Sequence, residues 1–160
     1  MATAAVTSDQ DAVVGEIEIA APPDRVFQAL IDPKQLLRWW TNDICRAKVW
    51  QFDARRGGNW HFETEDTKGK LAVNGVTVFK ADGEIMEYDP PRLLAYTWIA
   101  NWHADPATKT MVRWDLAPAG KGTRVKVTHS GLAPEPVCRK DYSGGWVGVL
   151  DQLKQHVENI

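Results

Sequence analysis

The sequence predicts an α+β domain: a curved antiparallel sheet of about seven strands, two short helices after the first strand, and a long C-terminal helix over one sheet face. Three observations predict it. Between Ile44 and Ser130, short segments of alternating hydrophobicity are separated by turn chemistry at hairpin spacing. From Trp146 onward, apolar side chains recur every three or four residues. Two proline-led helical segments lie between these regions and the first strand.

Residues 14–20, VGEIEIA, set Ile17 and Ile19 on one face and Glu16 and Glu18 on the other, the period of a half-buried strand. Pro22 and Pro23 close it and suit a first helical turn. Val26, Phe27, Leu30 and Ile31 then recur at helical spacing, giving a helix over about 23–31. Asp32 and Pro33 supply a second N-cap and first-turn pair, opening PKQLLRWW with Leu36, Leu37 and Trp40 as its expected buried side. Adjacent helical positions cannot both face inward, so one of Trp39 and Trp40 is expected to pack and the other to form a partly exposed rim.

The following turns are ARRGGN at 54–59, EDTKGK at 65–70, KADG at 80–83, EYDPPR at 87–92, HADPAT at 103–108 and APAGKG at 117–122. Several intervening strands alternate cleanly. Trp60 and Phe62 oppose His61 and Glu63; Val112, Trp114 and Leu116 oppose Arg113 and Asp115; Val125 and Val127 share a face with His129. The sheet therefore has one apolar face, which another layer must cover. Only the C-terminal helix is long enough. Its stripe is Trp146, Val149, Leu150, Leu153 and Val157, with Asp151, Lys154 and Glu158 facing away.

Gly144, Gly145 and Gly148 sit oddly beside that stripe, since each costs roughly 0.5–1 kcal/mol relative to Ala in a helix interior. They either let the helix start approach its neighbours closely and leave space beside Trp146, or Gly144 and Gly145 lie in a loop just before the helix.

With 160 residues the chain is expected to form one domain over 13–159, behind a disordered tail of residues 1–12. Cys45 and Cys138 are too few for a disulfide framework and suit a reducing, cytoplasmic setting. Nineteen Lys and Arg against 21 Asp and Glu, with no basic run, argue against nucleic acid or a polybasic membrane patch. No apolar run reaches membrane-span length, so integral membrane association is not expected. The chain is read as a monomer or homodimer. Eight tryptophans stand out against four Phe and three Tyr. An indole N–H wants a partner when buried, so either the core is unusually Trp-rich or these rings line a cavity.

The order of elements resembles the helix-grip fold of the START and Bet v 1-like (SRPBCC) superfamily. Within it the chain is similar to the family named for the activator of heat-shock protein 90 ATPase homologue. The carrying stretches are EIEIAAPPDRVFQALIDPKQLLRWW at 16–40, RRGGNWHFE at 55–63, GEIMEYDPPRLLAYTW at 83–98, GTRVKVTHSGL at 122–132 and SGGWVGVLDQLKQHVE at 143–158. The resemblance implies a cavity between sheet and long helix, open at one end, which in relatives holds apolar or aromatic small molecules. It implies no shared reaction.

Trp60, Trp98, Trp114 and Trp146, with Phe62, Phe79, Met86 and Tyr96, are the expected pocket lining, with Trp40 at the mouth. His129, sharing a face with Val125 and Val127, is expected to point toward the cavity, where an imidazole orients a ligand or moves a proton, or else is a hydrogen-bonded structural residue. The histidines show no metal-ligand spacing, and Cys138 stands at a helix start, where the dipole could lower its pKa, although a buried, inert thiol is the first expectation. No catalytic constellation is legible. The expected function is uptake of a small hydrophobic, aromatic or lipid-like molecule without a cofactor. The alternatives are a cyclase, hydrolase or isomerase working by proton transfer at His129, and a stress-associated role with a chaperone partner.

Overall fold

The computed structural model describes residues 2–41, 45–66 and 72–160. The chain runs β1 (Thr3–Val6), β2 (Val13–Ile19), α1 (Pro23–Ile31), α2 (Pro33–Trp39), β3 (Cys45–Phe52), β4 (Asn59–Asp66), β5 (Val78–Asp89), β6 (Leu93–Ala100), β7 (Lys109–Ala119), β8 (Gly122–Ser130) and α3 (Pro136–Glu158). All strand pairs are antiparallel, in the order β1-β2-β8-β7-β6-β5-β4-β3. The fold is the expected α+β arrangement with eight strands in place of about seven. Most of the turn expected at 65–70 lies outside the described residues.

The extra strand corrects the disordered tail expected over residues 1–12. Thr3–Val6 pairs with β2 from Thr3↔Glu16 to Val6↔Val13. The connection between them is tied by Thr7 N–H to the Ala12 carbonyl, 2.8 Å, and by Gln10 N–H to the Thr7 carbonyl, 2.9 Å. Gln10 occupies the left-handed region, φ 62°. Asp11 then accepts from the backbone N–H groups of Gly131 and Ala133, fastening this hairpin to the turn before α3.

α1 opens on a first-turn proline without a side-chain cap, whereas α2 is capped. In α2 the Asp32 carboxylate accepts from Lys34 N–H at 3.0 Å, satisfying one free donor of the first turn. The buried residues of α2 are Leu36 and Trp39, whose indole N–H donates to the Ala29 carbonyl at 2.9 Å; Leu37 is exposed and Trp40 half-buried. Leu37 therefore does not join the expected buried side.

The longest element, α3, begins ten residues before Trp146. Its buried stripe is Cys138, Tyr142, Trp146, Leu150, Leu153 and Val157, spaced by four and then by three or four. Gly144, Gly145 and Gly148 all lie inside it, which excludes the loop reading. A Cβ at any of the three would meet no atom within 4 Å. Close approach is thus not their purpose here, whereas open space is present.

The helix packs its backbone across β1 and β2, while toward β4, β5 and β6 the interval is spanned by large side chains. Tryptophan is the residue with the reach to do this. Three buried indoles also find acceptors, whereas Trp50 Nε1 has none: Trp60 bonds the Thr97 carbonyl at 2.9 Å, Trp114 the Tyr96 hydroxyl at 3.0 Å, and Trp98 the Tyr142 hydroxyl at 3.0 Å.

Gly83 makes one of these bonds possible. A Cβ there would sit 1.9 Å from the Thr97 carbonyl oxygen and 2.7 Å from Trp60 Nε1. Gly83→Ala is therefore expected to destabilise the fold by about 2–3 kcal/mol, read as a lower urea midpoint. A wild-type midpoint would contradict the contact.

Candidate functional site

A cavity of about 130 Å³ opens between α3 and the strands at the β3 end of the sheet. β4 contributes Phe62 and Thr64, β5 contributes Phe79, and β6 contributes Trp98. These are side chains of the apolar sheet face. Val73 and Trp102 come from connections, and Trp40 from the end of α2. The helix supplies two adjacent rows: Tyr142 and Trp146 form wall, while Asp141, Gly145 and Val149, four residues apart, form the rim.

The walls are mostly aromatic and mutually braced. Trp98 lies 5.4 Å from Phe62, 6.0 Å from Trp146 and 6.1 Å from Trp102, centroid to centroid. Trp40 lies 5.9 Å from Phe62 and 6.0 Å from Trp146. Such contacts add to the burial of each ring and fix its orientation.

Trp102 is held in place by Glu135. This buried carboxylate accepts from Ala104 N–H at 2.6 Å, Asp105 N–H at 3.1 Å and the Thr108 hydroxyl at 3.0 Å, pinning the segment that carries Trp102 against the start of α3. Nearby, the Tyr142 hydroxyl bonds His103 Nε2 at 2.9 Å. Burial lowers the His103 pKa and raises that of Tyr142, so both stay neutral at physiological pH.

His129 is fully buried behind this wall. Trp146 Nε1–H donates to His129 Nδ1 at 3.2 Å, so Nδ1 is the acceptor and Nε2 carries the proton. That proton goes to the Thr110 hydroxyl at 2.7 Å, and Thr110 in turn donates to the Trp98 carbonyl at 3.1 Å. Both ring nitrogens are thus committed to protein atoms. Burial holds the His129 pKa well below its usual value. Rather than facing the cavity, the imidazole fixes the Trp146 wall from behind.

Of the residues expected to line a pocket, the cavity is walled by Trp40, Phe62, Phe79, Trp98 and Trp146. Trp60, Tyr96 and Trp114 are buried on the same sheet face but lie behind or beside it. Met86 is 40% exposed and on the outer face. Plain alternation from buried Phe79, Ala81 and Ile85 puts Met86 outward, and the β-bulge between Ile85 and Glu87 resets the parity only beyond it, leaving Glu87 exposed and Tyr88 half-buried.

Sequence reasoning missed Trp102, Tyr142, Asp141, Thr64, Val73 and Val149 at this site. For Tyr142 a signal existed, since Cys138, Tyr142, Trp146 and Leu150 continue one four-residue series. Of the two readings of Cys138, the structure has the buried thiol. Burial, with Glu135 and Asp141 nearby, pushes its thiol up to about 11, opposite to the expected effect of the helix dipole.

Among the described residues no cluster of His, Cys, Asp and Glu could hold a metal ion, and no helix is long and apolar enough to cross a membrane.

The family model described as activator of Hsp90 ATPase homolog 1-like protein matches residues 20–158. Similar solved structures include a Chromobacterium violaceum protein, 25% identical with a TM-score of 0.79, the match covering 94% of this chain and 99% of that one. An AHSA1-like protein from Aeromonas hydrophila is 20% identical with a TM-score of 0.72, covering 92% of each chain. A protein from Arthrobacter aurescens is 16% identical with a TM-score of 0.81, covering 99% of this chain and 92% of its own. Among curated proteins, none matches. The family match spans most of the chain, which therefore belongs to the activator of Hsp90 ATPase homolog 1-like family of the SRPBCC superfamily.

Proposed function

We propose that the protein binds a compact apolar molecule, of one- or two-ring size, in the cavity between α3 and strands β4 to β6. The observation that carries this reading is the open, aromatic-walled cavity itself, with Gly145 on its rim where a side chain would occupy the space. An engineered apolar cavity of about 150 Å³ accommodates benzene. A cavity of about 130 Å³ suits a ring rather than a long acyl chain, which narrows the lipid-like part of the expectation. The committed nitrogens of His129 and its place behind Trp146 keep that imidazole from the cavity, which weighs against proton transfer at His129.

The test is a thermal-shift panel of toluene, 4-ethylphenol, indane and naphthalene, run on wild type and on Gly145→Leu. A ligand at about 100 times its Kd adds roughly 2.7 kcal/mol, which raises Tm by roughly 5–10 °C for a chain of this size. Wild type is expected to shift with at least one compound and to change its tryptophan emission. Gly145→Leu is expected to fold and to show no shift. Gly145→Ala, by contrast, is expected to stabilise the apo protein by about 0.5–1 kcal/mol, because the new methyl group meets nothing. No shift in folded wild type across the panel would overturn the reading.

A further inference from the structure

Among the described lining residues, the charged group is Asp141 and there is no Lys, Arg or His. The walls also turn their donors away. Trp98 N–H is spent on Tyr142 and Trp146 N–H on His129, so these indoles meet the cavity with carbon surface and ring π density. The rings stand at steep angles: 83° between Trp98 and Trp102, 88° between Phe79 and Trp102, and 80° between Trp40 and Trp146. Rings at steep angles around one cavity can present more than one face to a group between them, and cation–π attraction acts within about 6 Å of a ring centroid. The rim carboxylate is exposed and has no hydrogen-bond or ion-pair partner among the described residues. A negative rim above π-rich walls repels an anion and draws in a positive charge.

We propose that this cavity, if it is the ligand site argued above, selects an organic cation: a compact quaternary or tertiary ammonium group enclosed by Trp40, Trp98, Trp102 and Trp146, with the Asp141 carboxylate at the rim as its counter-ion. The ammonium group needs no hydrogen-bond acceptor in such an enclosure when its nitrogen is fully alkylated, which fits walls that offer ring surface. Burying it without Asp141 would leave a desolvated charge uncompensated.

The test compares two molecules of nearly equal shape, choline and its uncharged carbon analogue 3,3-dimethylbutan-1-ol, by calorimetric or fluorescence titration of the full chain. Choline is expected to bind at least tenfold more tightly than the alcohol. Asp141→Asn, at an exposed position, is expected to erase most of that ratio by weakening choline far more than the alcohol. Equal or tighter binding of the alcohol would overturn the cation inference and leave the apolar-ligand reading standing. The same holds if neither binds while an aromatic compound of the panel does. If the aromatic panel also fails, both readings fall together. A wild-type ratio retained in Asp141→Asn would assign the selectivity to the rings and remove the carboxylate from the proposal.

Discussion

Trp98→Ala is expected to lower stability by about 3–5 kcal/mol, the cost of truncating a fully buried tryptophan into a cavity that neighbours cannot close. The residue is 2% exposed and its ring packs within 6.4 Å of Trp60, Phe62, Tyr96, Trp102, Tyr142 and Trp146, centroid to centroid. Its N–H also holds the Tyr142 hydroxyl. Urea unfolding gives the loss directly. Trp98→Phe keeps a ring but leaves Tyr142 without its donor, and is expected to cost less than the alanine variant. A loss below about 1 kcal/mol for Trp98→Ala would mean that the aromatic cluster is not the structural bridge between α3 and the sheet.

The second large effect concerns His129. Replacing it by Leu removes the acceptor of the Trp146 N–H and the donor to Thr110, and is expected to cost about 2–4 kcal/mol. It also predicts a pH dependence whose sign follows from burial. In the unfolded chain this histidine titrates near 6.5, whereas the folded state keeps it neutral to lower pH. Below that value the unfolded state binds the extra proton, so stability is full above about pH 7 and falls as pH drops through 6.5. The slope contributed by one such residue approaches 1.4 kcal/mol per pH unit. His103 and His156, also lowered by burial, add to it. Urea midpoints between pH 8 and pH 5 should decline in wild type and decline less in His129→Leu. A flat wild-type profile would contradict a neutral buried imidazole.

What was legible in the sequence is what short-range physics controls. Pro23 in the first turn of α1 and the Asp32 cap of α2 placed both short helices, because proline and aspartate act within one turn. The alternation of β4, β7 and β8 gave the buried face, because pleating is local. β1 was not legible: TAAV has no polar alternation, its turn has no glycine, and its pairing depends on a partner seven or more residues away. The bulge that breaks the alternation between Met86 and Tyr88 depends on β6 rather than on β5 itself. Three glycines hid the first turns of α3 and with them Tyr142 and Asp141. For His129, strand parity correctly indicated the inner face, but only the position of Trp146 shows that the imidazole supports the wall and does not line the cavity. Residues that brace a site from behind are chosen by tertiary neighbours, and these leave no local pattern.

The central claim is that the cavity beside Trp98 takes up a ligand. It is tested most directly by following the eight indole N–H resonances of the folded protein in ¹H–¹⁵N spectra during a titration with toluene, each assigned by a Trp→Phe variant. The account predicts saturable shifts, largest for Trp98, Trp102 and Trp146, with Trp39, bonded to Ala29 behind α2, nearly unmoved. Shifts confined to Trp39 and Trp114, or none up to the solubility limit, would contradict it.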